Sequence, residues 1–182
     1  MKKNNILWLL LLAVGSIFAA CKKGSTTTTQ DQLPPATQTG ANTFGCLING
    51  KVYIPKGYNG TGTPNPKISL ETFNGKLILG IVTNQLENGN PQGFVIISFF
   101  NSVLSPGIYA YSDKMNFSVG WAKVINNCFT PAGDTTVKKW GEGFITKFDN
   151  VNKIVSGTFN CKFKTQTCDT VFITDGRFDF KF

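Results

Sequence analysis

The chain is predicted to be an all-β protein, an antiparallel meander of about ten strands that forms a sandwich or a flattened barrel after a signal peptide and a flexible tether. Three observations favour this class. From residue 44 onward no helical periodicity is evident, β-branched and aromatic residues alternate in short runs, and Asn-Gly or Asp-Gly pairs separate the runs. Of the 182 residues, 41% are hydrophobic and only 15% are charged, which is typical of a folded domain.

Residues 1–20 are predicted to be a lipoprotein signal peptide. Two lysines form its positive n-region, a short apolar run follows, and two alanines precede Cys21. This pattern resembles a bacterial lipobox, in which the cysteine is lipidated and becomes the new N-terminus, although Phe18 stands where such boxes usually carry leucine. The alternative is a soluble secreted protein with Cys21 merely near the cleavage site. Several acyl chains on Cys21 would anchor the protein to a membrane without crossing it.

Residues 21–43 are predicted to be a lipidated flexible tether, and residues 44–182 a single all-β domain. The tether contains four consecutive threonines and two prolines and has no apolar periodicity. The formal net charge of the whole chain is +8, but several of the lysines lie in the signal peptide and the tether. The modest charge left on the domain indicates ordinary solubility, and no nucleic-acid partner is expected.

Three tight hairpins are predicted at Asn49-Gly50, Asn74-Gly75 and Asp175-Gly176, because both central residues of a type I′ turn need positive φ. At the second turn, two-residue closure pairs Leu70 with Leu79. One face of this hairpin is then apolar, and it consists of Ile68, Leu70, Leu77, Leu79 and Ile81, while Glu71 and Lys76 lie on the other face.

The C-terminal strands are predicted from the same alternation. At the third turn, the apolar face gathers Val171, Ile173, Phe178, Phe180 and Phe182, whereas Arg177, Asp179 and Lys181 face water. Within 153–164, the inward residues are Val155, Gly157, Phe159, Cys161 and Phe163, and the outward ones are Ser156, Thr158, Asn160, Lys162 and Lys164. Further strands are expected near 93–100, 107–111, 115–125 and 136–148. Since cations and rings here point to opposite faces, they do not form a nucleic-acid surface.

The absence of histidine excludes the most common enzyme mechanisms. The sequence contains none, which removes Ser-His-Asp and Cys-His nucleophiles and every His-ligated metal site. No spacing of carboxylates, or of serine with lysine, indicates a catalytic group instead. We therefore expect no enzymatic activity, no cofactor and no metal. A glycosidase that depends on carboxylates is a distant alternative.

Four cysteines are candidates for disulfides once Cys21 is assigned to lipid. They are Cys46, Cys128, Cys161 and Cys168. An even number in an exported protein predicts two bonds with three connectivities open, and a strict meander brings all four to one end of the domain. Proximity in sequence favours Cys161–Cys168 with Cys46–Cys128 over Cys46–Cys161 with Cys128–Cys168. A four-thiolate zinc site is less expected because no Cys-x-x-Cys pair occurs.

The candidate ligand-binding residues are Trp121, Trp140 and Glu142. If the loop between strands 115–125 and 136–148 closes symmetrically, three pairs share one face: Trp121 with Trp140, Val119 with Glu142, and Phe117 with Phe144. Phe117, Val119 and Phe144 are expected in the core. An unpaired carboxylate is costly to bury, so the end of the face near Glu142 should open to solvent or hold a partner. Rings beside a carboxylate suit a sugar.

Three segments resemble an uncharacterised family of Bacteroidota-type outer-membrane lipoproteins that share a domain of unknown function. They are FGCLINGKVYIP at 44–55, VSGTFNCKF at 155–163 and VFITDGRFDFKF at 171–182. The resemblance spans essentially the whole domain and implies a location in the cell envelope, with no catalytic residues to transfer. Residues after Cys21 lack the acidic run that such bacteria use for surface export, so the periplasmic face is favoured.

Two functions are consistent with these features. The first is a non-enzymatic binding module for a glycan or another small ligand, held against an aromatic surface of a tethered β domain. The second is a structural or assembly accessory that docks an envelope protein partner through a sheet surface or edge.

Overall fold

The computed structural model describes residues 32–57, 64–87, 90–111, 116–123, 128–130, 137–164 and 169–182. This part of the chain contains no helix, and its strands form one six-stranded and one five-stranded antiparallel sheet. The sheets pack face to face and neither closes into a barrel. The all-β prediction is confirmed, in its sandwich form.

The strands fall into sheet A and sheet B. In spatial order, sheet A contains β2 (Lys51–Tyr53), β1 (Thr43–Ile48), β11 (Val171–Lys181), β10 (Ile154–Lys164), β9 (Lys138–Asp149) and β6 (Gly107–Ala110). Sheet B contains β3 (Lys67–Phe73), β4 (Lys76–Glu87), β5 (Asn90–Asn101), β7 (Phe117–Lys123) and β8 (Cys128–Thr130). The four further strands expected from the sequence are present as β5, β6, β7 and β9, whereas β8 was not predicted.

Two of the three predicted hairpins are confirmed. Asn49 and Gly50 both have positive φ, at 48° and 76°, and join β1 to β2. Asn74 and Gly75 have φ of 48° and 73° and join β3 to β4, with Leu70 opposite Leu79 as predicted. Of the apolar face of this second hairpin, Leu79 and Ile81 are fully buried, and Ile68, Leu70 and Leu77 pack against the core.

The predicted hairpin at Asp175-Gly176 is wrong, because β11 runs straight through it. Phe159 pairs with Gly176 and Cys161 pairs with Ile173, so β11 carries one extra residue against β10. This is a β-bulge, and Asp175 has a φ of 51° within it. A Cβ on Gly176 would lie 2.5 Å from the carbonyl oxygen of Phe159. The dipeptide correctly indicates positive φ, which a bulge and a tight turn both require.

The connections differ from a strict meander at three places. Strand β1 pairs with β11, β6 pairs with β9, and β5 pairs with β7. As a result, β7 and β9, which the sequence places side by side, lie in different sheets. The core lies between the sheets, where the Phe99 ring of sheet B is 5.4 Å from the Tyr109 ring and 5.7 Å from the Phe178 ring of sheet A.

A buried hydroxyl pair also links the sheets. The Thr83 hydroxyl on β4 donates to the carbonyl oxygen of Val95 at 2.8 Å. Its single proton is thereby used, so the Tyr53 hydroxyl, 3.0 Å away at the end of β2, donates to the Thr83 oxygen. Burial is the main cause that raises the pKa of Tyr53 above its ordinary value. Both polar groups are therefore satisfied inside an apolar core.

Residues 32–42, hereafter the N-terminal segment, lie on the outer face of sheet A. The side chain of Asp179, only 1% exposed, accepts hydrogen bonds from the backbone amides of Thr39, Gly40 and Ala41. Asp179 was predicted to face water, and that is wrong, because the N-terminal segment covers it. The predicted flexible tether extended to residue 43, whereas residues 32–42 lie against sheet A and are held there by hydrogen bonds to Asp179.

Ser156 was also predicted to point outward into water, but it is fully buried on the same covered face. Its hydroxyl donates to Asp179 at 2.7 Å. The other predicted outward residues of β10, from Thr158 to Lys164, are exposed, and the predicted inward set is buried. The predicted alternation of β10 is therefore correct, and the sequence did not predict that the N-terminal segment covers one end of the outer face.

Candidate ligand-binding surface

The outer face of sheet A carries exposed aromatic side chains at the end that the N-terminal segment leaves uncovered. Trp140 on β9 is 49% exposed, and Phe172 on β11 is 47% exposed. Strand alternation places them there, because their neighbours Lys139 and Ile173 point into the sandwich. Exposed apolar side chains that lie together on one face are typical of binding surfaces.

A row of three side chains crosses β11, β10 and β9 at this point. Lys162 is directly opposite Phe172 on one side and Trp140 on the other. Its ammonium nitrogen lies 5.2 Å from the Phe172 ring centroid and 5.7 Å from the Trp140 ring centroid. Cation–π attraction to both rings holds the cation between them.

The backbone at Phe172 is held in place by the first hairpin. Its amide donates to the Asn49 side-chain oxygen at 2.8 Å, and the Asn49 amide donates to the Phe172 carbonyl oxygen at 2.9 Å. The Asn49-Gly50 turn therefore positions one ring of the surface as well as joining two strands.

The next row on this face is polar. Asn160 on β10 is opposite Glu142 on β9, and the Asn160 amide nitrogen is 3.5 Å from a carboxylate oxygen of Glu142. Both side chains are exposed. Because that contact is long, most of the hydrogen-bonding capacity of the amide and the carboxylate faces solvent.

A shallow open depression of about 250 Å³ lies between the two rows. It is lined by Trp140, Gly141, Asn160, Cys161, Lys162, Phe172, Ile173 and Thr174. Gly141 has a φ of 154°, and a Cβ there would lie 2.3 Å from the Asn160 carbonyl oxygen. Only glycine lets β9 approach β10 this closely, so the backbone forms the floor.

The far row of the face is apolar. Thr158 is opposite Phe144, which is opposite Ile108 on the edge strand β6. Phe144 is 42% exposed and Ile108 is 71% exposed. Phe144 was predicted to lie in the core, and that is wrong, because its neighbours Gly143 and Ile145 face the core and strand alternation then points Phe144 outward. Phe117 and Val119 are in the core as predicted.

The predicted pairing of Trp121 with Trp140 is wrong. Trp121 lies on β7, pairs with Val95 and Thr130, and is only 7% exposed in the core. The chain turns back from β7 into β8 within sheet B and enters sheet A only afterwards, so the loop does not close a hairpin. Of the three predicted residues, the structure brings Trp140 and Glu142 together and excludes Trp121 from the surface.

Sequence reasoning missed Phe172, Lys162 and Asn160 as members of the surface. The alternation had placed Lys162 and Asn160 outward, but without the strand order nothing related them to Trp140. The register of three strands is needed to bring Phe172 beside them, and the misassigned hairpin at 175–176 concealed it.

The predicted disulfides are not formed at the two described cysteines. Cys46 on β1 and Cys161 on β10 are buried free thiols that face the core, with β11 between their strands. Two interstrand spacings, about 9–10 Å, exceed the Cα separation of about 7 Å that a disulfide spans. Burial raises the pKa of Cys46 to about 12. The Cys168 residue and the Cys128 side chain lie outside the described part.

The described residues contain no group of three or more His, Cys, Asp or Glu side chains that could hold a metal ion. Over the same ranges, no helix has the length and apolar character to cross a membrane. A scan against protein-family models, a search of curated proteins and a search of solved structures each return no match. The surface itself is therefore the basis for a functional proposal.

Proposed function

We propose that this protein is an exported lipoprotein, anchored through Cys21 to the outer membrane on its periplasmic face, and that it binds a glycan without catalysis. The observation that carries the proposal is the exposed face of Trp140, Phe172, Asn160 and Glu142. The sequence features of residues 1–21, and the resemblance to envelope lipoproteins, support the anchored location.

The geometry of the face suits a sugar chain. Trp140 and Phe172 lie two strands apart, about 9–10 Å, which is comparable with the length of a disaccharide unit. The C–H faces of a pyranose ring stack on aromatic rings, and its hydroxyls need donors and acceptors nearby. Asn160 supplies donors and an acceptor, and Glu142 supplies acceptors, in the adjacent row.

The anchor would keep this face close to the membrane. Cys21 and Gln32, where the N-terminal segment begins, are eleven positions apart in the chain. A fully extended chain of that length spans at most about 36–40 Å. The protein would therefore meet glycans that lie within a short distance of the bilayer.

The test is a glycan array probed with the full-length lipidated protein in detergent. Trp140→Ala should lower affinity for the bound glycan about tenfold, or about 1.4 kcal/mol, because a stacking surface is lost. Phe73→Ala is the matched control, since Phe73 is an exposed ring on sheet B. Equal binding by both variants, or retention of no glycan by the wild type, would contradict the proposal.

The anchor has its own test. Cys21→Ala should move the protein from the membrane fraction to the soluble exported fraction, because the acylated residue is gone. A variant that still sediments with membranes would contradict lipid anchoring and would leave glycan binding to be judged separately.

One observation favours the second function, the docking of an envelope protein partner. Ile108 and Phe144 form an exposed apolar pair at the short edge strand β6, and they offer no hydrogen bonds to a sugar. A photo-crosslinker at position 108 should then capture one defined protein, and Phe144→Asp should abolish that product. Crosslinks that Phe144→Asp does not change would rule this face out as the dock.

A further inference from the structure

Three lysines surround Trp140 at the open end of sheet A, and we call Lys138, Lys162 and Lys164 the lysine cluster. Lys164 on β10 is directly opposite Lys138 on β9, and both side chains are exposed. Lys162 is two residues from Lys164 on the same face of β10. Its ammonium lies between the rings of Trp140 and Phe172.

No member of the lysine cluster forms a salt bridge with another described residue. Like charges directly opposite each other on neighbouring strands destabilise a sheet. Lys147 and Asp149 on β9, in contrast, form an ion pair at 3.8 Å. The nearest carboxylate on β9 is Glu142, whose contact is with Asn160.

The dimensions of the cluster match a polyanion. Two residues along a strand span about 6.6 Å, and directly opposite side chains are about 5 Å apart at their Cβ atoms. Charged groups on one sugar ring, or on adjacent rings, have comparable separations. The rings on either side of Lys162 keep its ammonium over the depression, where a stacked sugar would lie.

We propose that the ligand is an anionic polysaccharide, whose carboxylate or sulfate groups pair with the lysine cluster while one sugar ring stacks on Trp140. This inference rests on the proposed function and narrows its ligand class. The Lys162 ammonium would donate to the anionic group nearest the stacked ring, and the ammonium groups of Lys138 and Lys164 would donate to the next group along the chain.

The adjacent row argues for a polysaccharide over an anionic membrane surface. Glu142 and Asn160 lie beside the cluster on the same exposed face. The flat surface of an anionic bilayer would leave the depression unfilled. A sugar carries hydroxyls that use both side chains and fills a depression of about 250 Å³.

The experiment compares acidic polysaccharides with their neutral counterparts. Polygalacturonate, alginate and heparin, and the carboxyl-reduced or desulfated form of each, are tested for binding to the full-length protein in detergent. Retention of at least one acidic chain over its neutral form is expected, with weaker binding at about 0.5 M than at about 0.05 M salt. Vesicles that contain phosphatidylglycerol form a further arm.

Variants locate the contact. Lys162→Gln should weaken binding of the acidic chain about tenfold, because it removes the positive charge. Lys162→Arg should bind as the wild type does, because arginine keeps that charge. Lys76→Gln, at an exposed lysine of sheet B, is the matched control and should bind as the wild type does.

The outcomes separate the two proposals. Equal binding of the neutral and acidic forms would overturn the anionic ligand and leave glycan binding in place. Binding of none of the six polysaccharides, together with an empty array, would overturn both. Binding to the anionic vesicles that Lys162→Gln abolishes, with no polysaccharide retained, would show that the lysine cluster meets lipid instead.

Discussion

Replacement of Asp179 by asparagine should destabilise the domain by about 2–4 kcal/mol. The buried carboxylate accepts six hydrogen bonds, of which five come from the N-terminal segment and hold it on sheet A, and one comes from Ser156 on β10. One oxygen, Oδ2, accepts from the Thr37 hydroxyl at 2.6 Å, the Thr39 amide at 3.0 Å, the Thr39 hydroxyl at 3.3 Å and the Ala41 amide at 3.2 Å. The other, Oδ1, accepts from the Gly40 amide at 2.8 Å and the Ser156 hydroxyl at 2.7 Å.

The magnitude follows from which donors can adapt. Asparagine keeps one acceptor oxygen, and its best orientation leaves that oxygen at the Oδ2 position, where two backbone amides are fixed. Its NH₂ group then faces the Gly40 amide, which cannot turn away, while the Ser156 hydroxyl can rotate to accept. One buried amide without a partner costs about 1–3 kcal/mol, and the remaining bonds lose their charge assistance, which roughly halves their strength.

The effect should depend on pH in a defined direction. Burial acts to raise the pKa of Asp179, but the hydrogen bonds from Thr37, Ser156, Thr39 and Gly40 outweigh it and hold the pKa well below its ordinary range. A depressed folded-state pKa contributes stability that is present above the unfolded value of about 3.9 and is lost as the pH falls below it. The difference between wild type and Asp179→Asn should therefore be constant from neutral pH to about pH 5 and shrink below about pH 4.

Urea unfolding of the full-length protein in detergent measures the change, with Asp175→Asn as the matched control. Asp175 is exposed on the same strand, and asparagine also accepts its positive φ. Amide hydrogen exchange at Gly40 and Ala41 should accelerate in Asp179→Asn alone. The reasoning is refuted if the two variants unfold at the same urea concentration and these amides keep their protection.

Three further predictions concern buried groups and close backbone contacts. Thr83→Val should cost about 1–3 kcal/mol in urea unfolding, and more than Tyr53→Phe costs, because it leaves the buried Tyr53 hydroxyl without an acceptor; a cost no greater than that of Tyr53→Phe would contradict the assigned donor. Because burial raises the pKa of Cys46 to about 12, its thiol should resist iodoacetamide at about pH 8 until the protein unfolds, and mass spectrometry that finds rapid native labelling would refute this. Gly141→Ala should destabilise more than Gly50→Ala, since both have positive φ but only Gly141 meets backbone atoms; melting temperatures of the two variants decide it.

The local features of this fold could be predicted from the sequence because they depend on neighbours in the chain. Alternation placed Phe159 and Phe163 in the core, and turn chemistry placed Asn74-Gly75 at a hairpin. The same chemistry failed at Asp175-Gly176, because a positive φ also suits a bulge and only the register of the partner strand separates the two. The order of the strands within each sheet is decided by packing across the sandwich, and a single sequence does not show which strands pack together.

The candidate site also has one part that could be predicted from the sequence and one part that could not. Glu142 could be predicted to be exposed, because an unpaired carboxylate is costly in a core. Its neighbours could not, since the surface is built from β9, β10 and β11 by cross-strand register. Trp121 was assigned to the site by assuming that sequential strands pair, and the chain instead crosses to the other sheet between β8 and β9.

The outer face of sheet A combines two separate tasks on one set of strands. Asp179 and Ser156 fix the N-terminal segment at one end, and Lys162 and Trp140 form the candidate surface at the other. Ser156 and Lys162 are six positions apart on β10, about 20 Å, which is beyond the range at which substitutions usually couple. Asp179→Asn should therefore leave glycan affinity unchanged below its unfolding midpoint, and its effect on stability should add to that of Trp140→Ala within about 0.5 kcal/mol. A larger coupling in either measurement would mean that the N-terminal segment also shapes the binding end of the face.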